Sequence, residues 1–176
     1  GANQPATDAQ TEALEGTIRQ GLDEGALGVG FGINYSPGAT NEEITRLFRV
    51  AAARKVPVFV HTRAFGIGPI REAVTVAREA GVALHVVHIA SSSLGDLPAA
   101  LALVDSAKAA GQDVTTEAYP YTAGSTLLQS AMFNPGWQAN LRVGYADLAW
   151  PLTGERLTPE SFERYRKQGG WVIIHM

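Results

Sequence analysis

Apolar residues along this chain follow two alternating periods. From Thr7 to Glu24, Leu14, Ile18 and Leu22 recur at fourfold spacing, as on one face of a helix. Ala26 to Ile33 reads as a small-residue, glycine-studded strand. Thr40 with Glu43 three positions on predicts a capping box, and Ile44, Leu47, Phe48, Ala51 and Ala52 then form one apolar face. The run Val56–Val60 reads as a strand. A helix carrying Ile70, Ala73, Val74 and Ala77 follows and stops at Gly81. Strand Val82–Val87 leads into Ser91-Ser-Ser, then into a helix from about Asp96 with Leu97, Leu101 and Val104, ending near Gly111. Asp113–Glu117 is a weaker strand, with Thr and Val suited to a sheet. The segment from Ala118 to Leu157 breaks the rhythm. Thr158-Pro159 starts a last helix, Gly169-Gly170 end it, and Trp171–Ile174 is a last strand.

Strand and helix thus alternate about five times, and the middle strands are continuous apolar runs, as in parallel strands covered on both faces. The pattern predicts an α/β fold with a parallel sheet, either doubly wound or closed as a barrel. A complete eight-unit barrel takes about 250 residues, and this chain has 176. It begins in a helix and stops just after a strand. We therefore expect about five consecutive units of something larger: residues 1–176 as the central part of one catalytic domain, with 118–157 as a long insertion after a strand.

Composition narrows the function. Net charge is −3 and charged residues make up 18%, without the basic stripe of a nucleic-acid binder. No apolar run approaches the roughly 20 residues of a membrane helix. There is no cysteine, which excludes a disulfide framework and any thiolate metal site within this chain. These features fit a cytoplasmic protein whose partner is a small molecule.

The candidate chemistry lies in the four histidines, each within or at the end of a β-branched run. In both parallel architectures functional groups gather at the carboxyl ends of strands. His61 and His88 end successive strands, where two imidazoles can share a metal ion; the alternative is a pair of polar core histidines satisfied by backbone carbonyls. His85, three residues before His88, is expected on the opposite face, toward the helices, in a structural role. His175 also ends a strand, with a site role and a structural role equally open. Tyr119-Pro-Tyr121 through Ser125 offers hydroxyls for a carboxylate or carbonyl, or is an ordinary turn. Glycines in Gly28–Gly32 and Phe65–Gly68 lack the full spacing of a phosphate loop; those in the strand are read as close packing. Asp113 and Glu117 are the acidic candidates for a base. Asp113 sits at the wrong end of its strand, and the direction of Glu117 is undetermined.

Several motifs together resemble one family. Glu24-Gly-Ala-Leu-Gly28 continuing to Asn34-Tyr35-Ser-Pro-Gly38, Val60-His61-Thr-Arg63, the strand ending at His88, and Asp113-Val through Tyr119-Pro-Tyr-Thr-Ala-Gly-Ser125 occur in the order and spacing of N-acyl-D-amino-acid deacylases of the amidohydrolase superfamily. The resemblance covers about residues 10–130 in register and is extended to Ile174-His175-Met176. It implies consecutive units of a metal-dependent-hydrolase TIM-like barrel, with zinc (one or two ions) and hydrolysis of the linear amide of an N-acyl-D-amino acid by metal-activated water. It also implies His61 and His88 as zinc ligands. Tyr35, Arg63, Tyr119 and Ser125 would be substrate-binding residues. The family's first-strand His-x-His, its cysteine ligand and its catalytic aspartate have no counterpart here, so the general base is expected outside this chain and the segment alone should be inactive. The family's lysine two residues after the second histidine is Ala90, and Ala64-Phe65-Gly66 stand where an acidic residue is usual; a relative acting on another amide or a cyclic amide would fit both departures. The rival readings are a metal-free (β/α)-barrel lyase or isomerase using histidine acid–base chemistry, and a non-catalytic binding paralogue.

Overall fold

The structure is a computed structural model that describes residues 1–175. The chain forms two compact units, Gly1–Ala118 and Tyr119–Met176. The first unit contains α1 (Asp8–Asp23), β1 (Val29–Gly32), α2 (Asn41–Ala53), β2 (Val58–His61), α3 (Ile67–Ala80), β3 (Leu84–Val86), the short α4 (Ile89–Ser93), α5 (Leu97–Ala109) and β4 (Val114–Thr116). Its four strands pair in parallel in the order β1-β2-β3-β4, each strand beside its predecessor. This is the βα-unit series the alternating pattern predicts, with strands trimmed by a residue or more at most ends.

Helix boundaries follow local chemistry. Thr40 Oγ1 accepts the Glu43 N–H at 3.1 Å and caps α2. The expected reciprocal half of that box is absent, because the Glu43 carboxylate accepts the Ala6 N–H instead, at 3.2 Å. Gly81 ends α3 in the left-handed conformation (φ 68°), which glycine adopts without strain. Beneath α2, α3 and α5, Phe48, Ile70, Val74, Ala100 and Val104 pack on Val58, Val60, Leu84, Val86 and Val114 in one apolar core.

The second unit contains β5 (Ala123–Leu127), α6 (Trp137–Leu141), β6 (Leu148–Ala149), α7 (Pro159–Gln168) and β7 (Trp171–His175). Here the structure differs from the expected fifth parallel strand. β7 lies between β5 and β6 and pairs antiparallel with both, with Ala123 opposite His175 and Leu148 opposite Ile174. A β-branched run states that a strand is buried, but its direction is set by the partner, and here the partners come from the segment that broke the rhythm. Aromatic residues supply this unit's own core. Trp137 stacks on Phe162 with centroids 5.4 Å apart, and Trp150 stacks on Tyr165 at 4.1 Å. Among the described residues no helix is long and apolar enough to cross a membrane.

Candidate metal centre

Strand parity divides the parallel sheet into two sides. Val58 and Val60 point into the helix-covered core, so Phe59 and His61 occupy the other side. Register aligns Phe59 with His85 and His85 with Thr115. The Phe59 and His85 rings touch, with centroids 5.3 Å apart. His85 therefore lies away from the helices, on the same side as His61, which corrects the expectation that it faces them. The inference from three-residue spacing fails because the backbone does not stay extended as far as His88.

His88 follows β3 in a left-handed conformation, φ 39° and ψ 56°, rare for a residue with a side chain. That twist cancels the alternation and returns its imidazole to the side of His61. Two contacts with Glu117 secure the turn. The Glu117 carboxylate accepts the His88 N–H, and the Glu117 carbonyl accepts the Ile89 N–H at 2.9 Å. Glu117, a candidate base by sequence, thus braces the backbone of the second histidine.

The result is a close imidazole pair. His61 Nδ1 lies 2.9 Å from His88 Nε2, and the rings meet nearly edge to face with centroids 4.7 Å apart at 72°. Burial, followed by the neighbouring His88, lowers the His61 pKa to about 4. His61 is therefore neutral near pH 7, the form that can ligate a metal.

On its far side, His88 Nδ1 lies 3.0 Å from Ser92 Oγ and 3.2 Å from Ser91 Oγ. Tyr35 leans on His61 with ring centroids 5.3 Å apart. Gly32 makes room for it, since a Cβ there would stand 3.0 Å from the tyrosine ring.

The donor set fits a zinc ion in part. Two ring nitrogens converge from adjacent strand ends, and 2.9 Å is a few tenths short of the roughly 3.3 Å between two nitrogens bound tetrahedrally to one zinc at about 2.0–2.1 Å. Among the described residues no group of three His, Cys, Asp or Glu side chains can hold a metal. The described residues thus bring together two imidazole nitrogens and no third such donor.

The remaining sequence candidates fall in different places. Arg63 leaves the same strand end as His61, but its guanidinium is held by Glu72 (2.9 Å), the Pro37 carbonyl (3.0 Å) and the Asn41 side chain (3.3 Å). Asn34 Nδ2 donates to the Arg63 carbonyl at 2.9 Å, so this network braces the loop after β1 against the end of β2. Tyr119 and Ser125 belong to the second unit. Tyr119 lies beside Tyr121 with ring centroids 6.1 Å apart, and Ser125 Oγ donates to the Val172 carbonyl at 3.1 Å. His175 is in β7 of that unit, opposite Ala123. The structure thus gathers His61, His88 and Tyr35. Sequence reasoning missed the roles of Ser91, Ser92 and Glu117. For the serines the available signal was their position, three and four residues after a strand-end histidine.

No family model matches the chain. It is 36% identical over 135 residues to an N-acyl-D-glutamate deacylase of Alcaligenes xylosoxydans xylosoxydans, a match covering 72% of this chain and 28% of that protein. It is 32% identical over 132 residues to a D-aminoacylase of the same organism, covering 70% and 27% respectively. The chain belongs to the D-aminoacylase family of the amidohydrolase superfamily. It spans just over a quarter of the length of these relatives.

Solved structures of this family carry the same fold. A D-aminoacylase variant in complex with CuCl2 superposes with a TM-score of 0.79 at 26% identity, over 100% of this chain and 40% of that one. The N-acyl-D-glutamate deacylase of Bordetella bronchiseptica, complexed with zinc and a phosphonate mimic of the tetrahedral intermediate, superposes at 0.80 with 24% identity over the same shares. The four parallel strands are consecutive βα units of the TIM-like amidohydrolase barrel, as the resemblance implied.

Proposed function

We propose that this chain is part of a zinc-dependent amidohydrolase that cleaves the amide of an N-acyl-D-amino acid, giving a carboxylate and a free amino acid. The observation that carries the reading is the meeting of His61 Nδ1 and His88 Nε2 at 2.9 Å, at the ends of neighbouring parallel strands. The 36%-identical deacylase supports the substrate class.

In this reading His61 and His88 hold the metal. Zinc bound there would polarise the acyl carbonyl and lower the pKa of a bound water. Burial keeps His61 neutral and available at physiological pH. Tyr35, against the His61 ring, orients the substrate beside the centre. The Arg63 guanidinium, held by Glu72 and the Pro37 carbonyl, fixes the loop that carries Tyr35.

The test is metal analysis of the intact protein purified without chelator, with turnover of N-acyl-D-amino acids, N-acyl-D-glutamate included. The expected result is bound zinc and chelator-sensitive hydrolysis, both lost in His61→Ala and His88→Ala. Activity that survives chelation would replace this reading with metal-free acid–base chemistry. A folded protein that turns over no N-acyl amino acid would make it a binding paralogue.

A further inference from the structure

Three consecutive serines follow His88 in α4, and their hydroxyls do different things. Ser93 Oγ, fully buried, donates to the Ile89 carbonyl at 2.6 Å, a local bond within its own helix. Ser92, 1% exposed, places its Oγ 3.3 Å from the Val87 carbonyl and 3.0 Å from His88 Nδ1. Ser91 Oγ lies 3.1 Å from the His88 carbonyl and 3.2 Å from the same Nδ1. A hydroxyl has one proton to give. In Ser92 and Ser91 a backbone carbonyl, which can only accept, stands within reach of it. With the hydroxyl proton on the carbonyl, each oxygen turns a lone pair to Nδ1, the arrangement that a protonated Nδ1 satisfies. A neutral imidazole protonated at Nδ1 has its lone pair on Nε2, the atom that faces His61.

We propose that Ser92, assisted by Ser91, is a positioning residue of the metal centre: it fixes His88 in the Nδ1–H tautomer and so aims a bare Nε2 at the metal. The inference rests on the zinc reading given above and adds to it a residue that touches neither metal nor substrate. It also explains how a histidine in a left-handed turn keeps one ring orientation. Glu117 holds its backbone, while the serines of the next helical turn hold its ring. Partners of this kind orient metal-bound imidazoles, and their removal costs about 10–100-fold in metal affinity.

The test uses the intact protein in two arms. In the first, chelator competition measures zinc affinity. Ser92→Ala should weaken binding about tenfold and Ser91→Ala/Ser92→Ala up to about a hundredfold. Ser92→Thr, which keeps the hydroxyl, should restore it. Ser93→Ala removes a buried hydroxyl of the same helix and should leave affinity unchanged, which separates positioning from general loosening of α4. In the second arm, ¹⁵N spectra of the metal-free protein report the tautomer directly; His88 should show a protonated Nδ1 and a bare Nε2, and Ser92→Ala should mix the tautomers. Wild-type affinity in the double variant, or a protonated Nε2 in the wild type, overturns the proposal. If the wild type binds no zinc, the zinc reading fails by itself, and the tautomer spectrum still decides the role of Ser92.

Discussion

On one side of the parallel sheet, Val58, Val60, Leu84, Val86 and Val114 are at most 1% exposed beneath α2, α3 and α5. On the other side stand Phe59, His61, His85 and Thr115, none of them fully buried. The same strands build both. The helix side is apolar and close-packed, so a change there is felt as folding free energy. The other side carries the imidazoles of His61 and His85 beside Phe59, and under the proposed function a change there is felt in what the protein binds.

The widest separation of the two effects comes from pairing Leu84 with His61. Leu84→Ala removes a side chain from the sealed core and should cost about 2–5 kcal/mol of stability, with zinc per folded molecule unchanged. His61→Ala should cost the metal-free protein only about 1 kcal/mol, yet abolish zinc retention. Urea unfolding of chelator-treated protein, with zinc stoichiometry measured alongside, checks both. The division breaks if Leu84→Ala also empties the folded protein of zinc, or if His61→Ala destabilises it as much as Leu84→Ala does.

The helix side was legible in the sequence because hydrophobic period is a direct record of burial. Val58, Val60, Leu84 and Val86 lie in apolar runs flanked by helices whose faces repeat every three to four residues, and the observed core contains them. The candidate centre was legible in part. His61 and His88 stood out as strand-end residues, but which way His88 points depends on one backbone angle, φ 39°, that no residue type announces. The same angle misled the reading of His85. Arg63 stood in one of the motifs that carry the family resemblance, while its partners Glu72, Pro37 and Asn41 come together only in three dimensions. In the second unit, the run Trp171–Ile174 correctly marked a strand; its antiparallel partners lay in segments with no periodic signal.

A smaller effect is expected from pH. Burial holds the His61 pKa near 4, below the ordinary histidine value of 6.5. Between those values the unfolded chain takes up a proton that the folded, metal-free protein refuses. Stability should therefore be fully present above about pH 6.5 and be lost as pH falls toward 4, by on the order of 3 kcal/mol. Carboxylates titrate in the same range, so the measure is the difference between wild type and His61→Gln in chelator-treated protein. The wild type should lose more stability than the variant as pH drops from 7 to 4.5. Parallel curves would mean that His61 is no more buried than a surface histidine.

The smallest effect is expected from His85, and it sharpens the comparison most finely. His85 shares its side of the sheet with His61, but it lies earlier along its strand, with Nδ1 2.8 Å from Thr115 Oγ1 and its ring against Phe59. Its Nε2 is 3.9 Å from Glu117, beyond hydrogen-bond reach. If the strand end makes the metal centre, His85→Ala should change zinc affinity by less than about threefold and stability by about 1 kcal/mol, the worth of one hydrogen bond. If His85→Ala instead loses zinc as fully as His88→Ala, then the whole polar side of the sheet, and not the meeting of two strand ends, is what binds the metal. The pairing of His61 with His88 would then be a contact between two histidines rather than the core of a site.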